Sequence, residues 1–334
     1  MAKYIAKRLL LLIPVLIGVS ITVFVVMHAF TADPAATILG QHATADAIKK
    51  LQESLGLNKP IYMQYWDFFS KAVHGDLGQS LFTKSSVVNE LLSRFPATIE
   101  LACAAIIFAV LLGITVGVIS AVKKNTIFDY VSMVTALIGV SMPIFWLGLM
   151  LILIFSLTLQ WLPVAGRIDL GMEPVTITGF YLLDSLLSGD MNAFWSAVSH
   201  IILPAVALGS YSTAIIARMT RASMLDVINQ DYIRTARATG LFEKSVILSH
   251  SLRNAMIPVI TVIGLQFGAL LGGAVLTETI FSWPGIGSYT VQAILNSDYP
   301  LVQGAVLFIA AIFVVVNLVV DIIYGFIDPR IKYS

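Results

Sequence analysis

Long uncharged runs alternate with short polar stretches along this chain, on the length scale of membrane spans. Uncharged or nearly uncharged runs cover about 9–30, 97–122, 128–159, 200–217, 259–277 and 301–327. Each is long enough to cross a hydrocarbon layer as a helix, which needs about 20 residues. The pattern therefore predicts an all-α polytopic membrane protein with six transmembrane helices. The first run follows Lys3, Lys7 and Arg8 and exceeds the usual apolar core of a secretory signal, roughly 7–15 residues, so it reads as a retained span. Pro143 interrupts the third run within Ser-Met-Pro-Ile-Phe-Trp, 141–146. Proline inside a span frees a backbone carbonyl and is tolerated where neighbouring helices or a cavity satisfy it.

The polar stretches carry patterns of their own. Between the fourth and fifth runs, 218–258 holds Arg218, Arg221, Arg234, Arg237, Lys244 and Arg253. Its apolar residues, Val227, Ile228, Tyr232 and Ile233 and then Phe242, Val246, Ile247 and Leu252, recur at roughly helical spacing. Two short amphipathic helices separated at Gly240 are expected, with the glycine as the C-terminal stop of the first. Such helices need somewhere to bury an apolar face, and a partner protein is the economical place. The 31–96 stretch predicts one helix around Ile48, Leu51 and Leu55 and another after Asn58-Lys-Pro, carrying Tyr62, Tyr65, Trp66, Phe68 and Phe69. Aromatics so placed anchor a helix at the headgroup level or bind an external partner.

Composition and charge sharpen this picture. The 334 residues are 58% hydrophobic and 12% charged, with mean hydropathy +0.89. A soluble domain carries about a quarter charged residues. Lysines and arginines follow the positive-inside rule if both termini, Lys123-Lys124 and the 218–258 stretch face the cytoplasm. The remaining bases lie in 31–96, where acids match them, and in 160–198, where Arg167 faces Asp169, Glu173, Asp184 and Asp190. The net charge of +1 gives no reason to expect nucleic acid as a partner. Cys103 is the only cysteine, which excludes an intramolecular disulfide, and reads as a small core residue.

Catalytic patterns are missing. No Gly-Lys pair occurs, so there is no phosphate-cradling G-x-x-x-x-G-K-[ST] loop. The five histidines show no i, i+3 or i, i+4 pair, so no metal site is expected, and no nucleophile elbow frames a serine. The ionisable residues at membrane depth are Glu100, Glu278 and Asp321. Such residues are candidates for a solute or ion path, though all three lie near span ends, where solvated or capping roles are cheap. A carrier with its own driving force would need a buried relay of acids and histidines, and these are scarce.

The stretch 231–241, Asp-Tyr-Ile-Arg-Thr-Ala-Arg-Ala-Thr-Gly-Leu, followed by His-Ser-Leu-Arg-Asn-Ala-Met-Ile-Pro at 250–258, resembles the EAA loop of permease subunits of bacterial ABC importers. More narrowly it resembles the dipeptide/oligopeptide/nickel group, and its B-type dipeptide permeases. Thr-Glu-Thr-Ile-Phe-Ser-Trp-Pro-Gly-Ile-Gly at 277–287, Asn-Ser-Asp-Tyr-Pro-Leu-Val-Gln at 296–303, Gly139 to Trp146 and the ending Asp328-Pro-Arg carry the same likeness across nearly the whole chain. The general EAA pattern has a glutamate shortly before its glycine. Here Arg234 and Thr235 occupy that neighbourhood, Ala236 and Gly240 hold, and the proline is displaced to Pro258.

The resemblance implies a type I importer fold in a bacterial inner membrane, multi-pass with both termini cytoplasmic. Residues 1–8 would be the cytoplasmic N-terminus, 9–30 the first span, 31–96 a periplasmic region, and 97–334 a five-helix permease core with 218–258 as its cytoplasmic coupling loop. It further implies a second, homologous permease completing the pore, two cytoplasmic ATPase subunits that bind ATP and Mg, and a periplasmic solute-binding protein. This chain itself would be no enzyme and would hold no cofactor or metal. Asp231, Tyr232, Arg234, Thr235, Ala236, Arg237, Gly240, Leu241 and Phe242 would couple to an ATPase. Arg234 and Arg237 would lie at the docking rim, and Tyr232, Ala236, Leu241 and Phe242 in the buried seat. Pro143, Trp146 and Glu278 are candidates for the translocation path. A self-sufficient secondary transporter or channel, and a membrane anchor that merely recruits an ATPase, are the competing readings. Dipeptides lead the substrate expectation, with oligopeptides, nickel complexes, glutathione, haem-like and antimicrobial peptide solutes open.

Overall fold

The computed structural model describes the backbone of residues 2–30, 33–40 and 43–327, and the side chains of these except 2–9, 12, 30, 136, 137, 140, 321 and 323–327. Asp321 as a side chain, and the Asp328-Pro-Arg ending, therefore lie outside the described residues. Fourteen α-helices form among the described residues, and the only β pairing is an isolated bridge between Gln79 and Ser86. The chain divides into two compact units, Met1–Thr98 with Pro284–Val315, and Ile99–Trp283 with Val316–Ser334.

In the first unit, α1 (Ala2–Phe30) is followed by α2 (Pro34–Leu39), α3 (Ala45–Leu55) and α4 (Ile61–Val73). Local signals set their ends. Asp33 and Thr44 cap α2 and α3 by accepting the N–H groups of Ala35 and Ala47, and α3 stops at Gly56, whose φ of 72° is left-handed. The aromatic helix α4 has two faces. Tyr65 hydrogen-bonds Ser20 at 3.0 Å and meets Phe24 edge-on, and Phe68 stacks on Phe24, so this face seals against α1. Ile61, Tyr62 and Trp66 stay exposed on the other. The unit also holds the first part of α5 (Val87–Val122), then α13 (Ile286–Leu295) and most of α14 (Tyr299–Ile327). Asp298 caps α14 and accepts a 2.6 Å hydrogen bond from Ser80, tying the 79–86 turn to the start of that helix. Val23, Met27, Val87, Leu91, Ile286 and Tyr299 centre the core.

The second unit is organised on α9 (Met191–Ile228), 38 residues without a break despite Pro204. Around it stand the rest of α5, α6 (Ile127–Ser141), α7 (Ile144–Leu151) with its π-helical continuation Ile152–Thr158, and α8 (Tyr181–Ser188). The third apolar run is thus not one helix. Pro143 cannot supply an N–H to α6, and Met142 and Pro143 adopt extended conformations that separate α6 from α7. After α9 come α10 (Asp231–Ala238), α11 (Glu243–Ser245), a π-helical stretch Val246–Leu252, and α12 (Arg253–Ile280).

Two differences from the sequence expectation follow. Helix α9 continues through Arg218 and Arg221 to Ile228, because nothing in 218–228 breaks it. The expected second short helix is also not separate, since Glu243–Ile280 forms one helical rod. The polar interruption between long helices is only 229–242.

Helices α5 and α9 meet along a seam of small residues. A Cβ on Gly113 would stand 2.8 Å from Ile216 Cγ2, on Gly117 2.6 Å from Thr220 Cβ, and on Gly209 2.6 Å from the Ala105 carbonyl oxygen. Glycine allows the close helix approach here, as at small-residue interfaces within membranes. Four described helices are long and apolar enough to cross a membrane: Val87–Val122, Met191–Ile228, Glu243–Ile280 and Tyr299–Val320. Shorter apolar helices at Ile13–Ala29 and Ile144–Thr158 supplement them.

Candidate functional site

The polar interruption buries one side of α10 and presents the other. Ile233 and Ala236, three residues apart on one face, pack with Val246 and Val227. Asp231, Arg234 and Thr235 point to solvent. Asn229 and Gln230 alone separate α10 from α9, and the 239–242 turn leads back into the long rod. Gly240 sits in that turn with φ of 82°, and nothing lies within 4 Å of the Cβ it lacks. The glycine thus serves the left-handed backbone rather than close packing. Across the turn Arg237 donates to both carboxylate oxygens of Glu243, at 2.8 and 3.2 Å. Those hydrogen bonds hold the Glu243 carboxyl below its ordinary range and raise Arg237. Arg234 stands 3.6 Å from Asp231, both highly exposed, a pair worth little in water.

Of the nine residues expected to couple, the structure thus gathers Tyr232, Leu241 and Phe242 as exposed apolar groups, with Phe242 86% exposed. Tyr232 accepts a hydrogen bond from Asn254 at 3.0 Å. Ala236 belongs to the chain's own core instead of the presented surface, because the period of α10 puts it beside Ile233. Ile233 and Val246, which fix the helix from beneath, carry no polar signature that would single them out.

Near the N-terminal end of α9 a second set of charges is buried. Arg167, 7% exposed, donates from Nε and Nη2 to one oxygen of Glu100, 6% exposed, at 2.9 and 2.6 Å. Nη2 also reaches the Gly179 carbonyl at 2.8 Å, and the guanidinium lies 3.8 Å over the Tyr181 ring. The other Glu100 oxygen accepts the Leu182 N–H. Glu100 is therefore consumed in a structural clamp that holds the 160–190 segment to α5, and does not face an open path. Asp184, also buried, takes the N–H groups of Ile177, Thr178 and Gly179 and the Thr178 hydroxyl.

Burial opposes ionisation of Asp184, but those hydrogen bonds outweigh it and hold its carboxyl below the ordinary range. A depressed folded value means the stabilisation is present above the usual carboxylate pKa and is lost as pH falls through the folded value. Asp184→Asn should loosen the 160–190 segment at neutral pH by about 1–3 kcal/mol, the cost of partly unsatisfied buried donors. Limited proteolysis checks this: the parent should become sensitive only in acid, the variant already at pH 7.

The candidate path residues do not converge. Pro143 and Trp146 line an open apolar groove with Val134, Ile138, Met142 and Phe145 at the α6–α7 break. Glu278 is fully buried within α12, apart from the residues of that groove. Among the described residues no group of three or more His, Cys, Asp or Glu is placed to hold a metal ion.

Long apolar helices, a proline-broken span and one short helix between two rods define a helical, multi-pass integral-membrane protein. Its fold resembles a subunit of the MetNI methionine ABC transporter, solved in an inward-facing form, with a TM-score of 0.53 at 17% identity over 71% of this chain and 96% of that one. The family model for the inner membrane component of binding-protein-dependent transport systems matches residues 113–333, and the N-terminal model of the same systems matches 1–102. The chain belongs to this family. It is 52% identical over the full length of both chains to the dipeptide transport system permease protein DppB of Alkalihalophilus pseudofirmus. Likewise over full length, it is 49% identical to the di/tripeptide permease DppB of Pseudomonas aeruginosa and 43% identical to the glutathione permease GsiC of Escherichia coli. It is thus a multi-pass inner-membrane permease subunit of an ABC importer, with the helical fold of the type I importers.

Proposed function

We propose that this chain forms half of a translocation pore for dipeptides, driven by ATPase subunits that grip it around Gly240. The gripping surface is α10 with the turn after it. Phe242 carries the reading: a large aromatic, 86% exposed, stands beside half-exposed Tyr232 and Leu241 on a base fixed from below by Ile233 and Val246. An apolar group held out on a rigid base, rimmed by Arg234 and the Arg237–Glu243 pair, has the form of an interface anchor. The distribution of bases supports placing this end and both termini in the cytoplasm. Two ATPases, holding ATP and Mg, would dock there; a second permease would complete the pore, and a solute-binding protein would deliver substrate from the other side. Closure of the ATPases would then move α10, and rocking of the helices would switch pore access.

Dipeptides as substrate rest on the relatives at 47–52% identity that carry that name over full length. Deleting the gene in an auxotroph should abolish growth on a dipeptide source of the required amino acid and leave growth on the free amino acid intact. Unchanged growth on a range of dipeptides, with loss of some other solute instead, would refute the assignment.

A further inference from the structure

We propose that Arg221, Asp129 and Ser120 are positioning residues that form the joint through which movement of α10 reaches α5 and α6. The proposal rests on the reading above, in which an ATPase moves α10. Three helices meet at this point. Arg221 lies on the charged extension of α9, ten residues before Asp231; Asp129 is in the first turn of α6; Ser120 is in the last turn of α5. Arg221 donates from Nε and Nη2 to the two oxygens of Asp129, both at 2.7 Å, and Nε also reaches Ser120 Oγ at 3.1 Å. The Ser120 hydroxyl donates a hydrogen bond to Asp129, and the Asn125 N–H adds another at 3.0 Å. Asp129 and Ser120 are buried.

A two-pronged guanidinium–carboxylate pair fixes direction as well as distance, which a single apolar contact does not. Apolar packing leads from α10 toward this pair through Val227, which belongs to both adjoining clusters. Ile233 and Ala236 rest on Val227 and Val246; then Met224 of α9 packs with Ala121 of α5 and Ala255 of α12. Beyond the pair, the glycine seam at Gly117 and Gly113 locks α5 to α9. Helix α6 also packs along α9, and the joint adds to that packing a charged, directional tie at the first turn of α6. Without it, the register of α6 against α9 and α5 would rest on helix packing alone, which fixes direction less sharply than a two-pronged ion pair. It adds little that α9 needs for its own folding, because α9 is continuous on either side of Arg221.

The test uses the whole complex in proteoliposomes, with its ATPases and solute-binding protein, and reads solute taken up per ATP hydrolysed. Arg221→Gln and Asp129→Asn should lower that ratio about tenfold, within the range that side chains on a coupling path confer. Hydrolysis should stay within about twofold of the parent, and Arg221→Lys should recover part of the ratio. An unchanged ratio, or a fall of uptake and hydrolysis in parallel with no recovery by lysine, would overturn the joint. Should either variant fail to accumulate, Ser120→Ala, which removes only a hydroxyl, decides the matter: the ratio must fall for the proposal to stand. Phe242→Asp separates this result from failure of the docking reading. If that variant assembles and transports normally, the docking reading is wrong; if it loses its ATPases while the Arg221 and Asp129 variants couple normally, only the joint is wrong.

Discussion

Phe242→Asp is expected to abolish ATPase association and to cut uptake by at least about a hundredfold, while the permease still inserts and folds. The ring is 86% exposed, so its removal takes little from the chain's own packing. The local fold depends on the Phe242 main chain, whose carbonyl caps Ser245 and Val246 at 2.8 and 3.1 Å and survives the substitution. In a complex the same ring would be desolvated. Burying a phenylalanine is worth about 1.5–3 kcal/mol, and leaving an unpaired carboxylate in the same seat costs several more. Together these exceed the 2.7 kcal/mol or so that a hundredfold change requires. Co-purification of the ATPases with the tagged permease measures the first effect, and uptake into cells the second. Retention of the ATPases at parental levels would sink the assignment of this surface.

Arg167→Ala should destabilise the permease by about 3–5 kcal/mol, because it strands the buried Glu100 carboxylate without its partner. Three further contacts go with the guanidinium: the hydrogen bond to Gly179, the stacking on Tyr181, and the hold on the 160–190 segment. Replacing both charges together, Glu100→Leu with Arg167→Met, should cost much less, since buried ion pairs repay little of their own desolvation. Thermal unfolding of the detergent-purified protein distinguishes these cases. A single variant as stable as the parent would show that Glu100 finds other solvation, and the clamp described above would be wrong.

The clamp also shows what a sequence can and cannot disclose. Arg167 was conspicuous as the lone base in an acidic stretch, yet its partner lies 67 positions away on another helix. Hydropathy exposed Glu100 as an intramembrane acid, and an acid there could equally have faced solute. The spans were legible because twenty apolar residues in a row have few other uses, and the helices at 45–55 and 61–73 because caps and prolines mark their ends. Helix continuity was harder to see. Polar residues at 218–228 suggest a loop, but arginine and methionine favour helices, and no proline or glycine interrupts that stretch. Ala236, expected in the seat of a partner, packs against the chain's own Ile233 and Val246. A small apolar residue fits a partner's seat or the chain's own core, and only the placement of Ile233 and Val246 decides between them. Asp129 carries no sequence signal of burial, because it follows a polar turn, where an acid usually meets solvent.

The part of α9 from Arg218 to Ile228 spans eleven residues of helix, about 16 Å at 1.5 Å each. It begins where the uncharged length ends, and the hydrocarbon layer is only about 30 Å thick. On the proposed reading, this stalk would carry the Phe242 knob beyond the apolar length of the helix, where a rigid globular body could reach it. Ionic strength on that side should then act on the grip directly, whatever the lipid composition of the bilayer beneath.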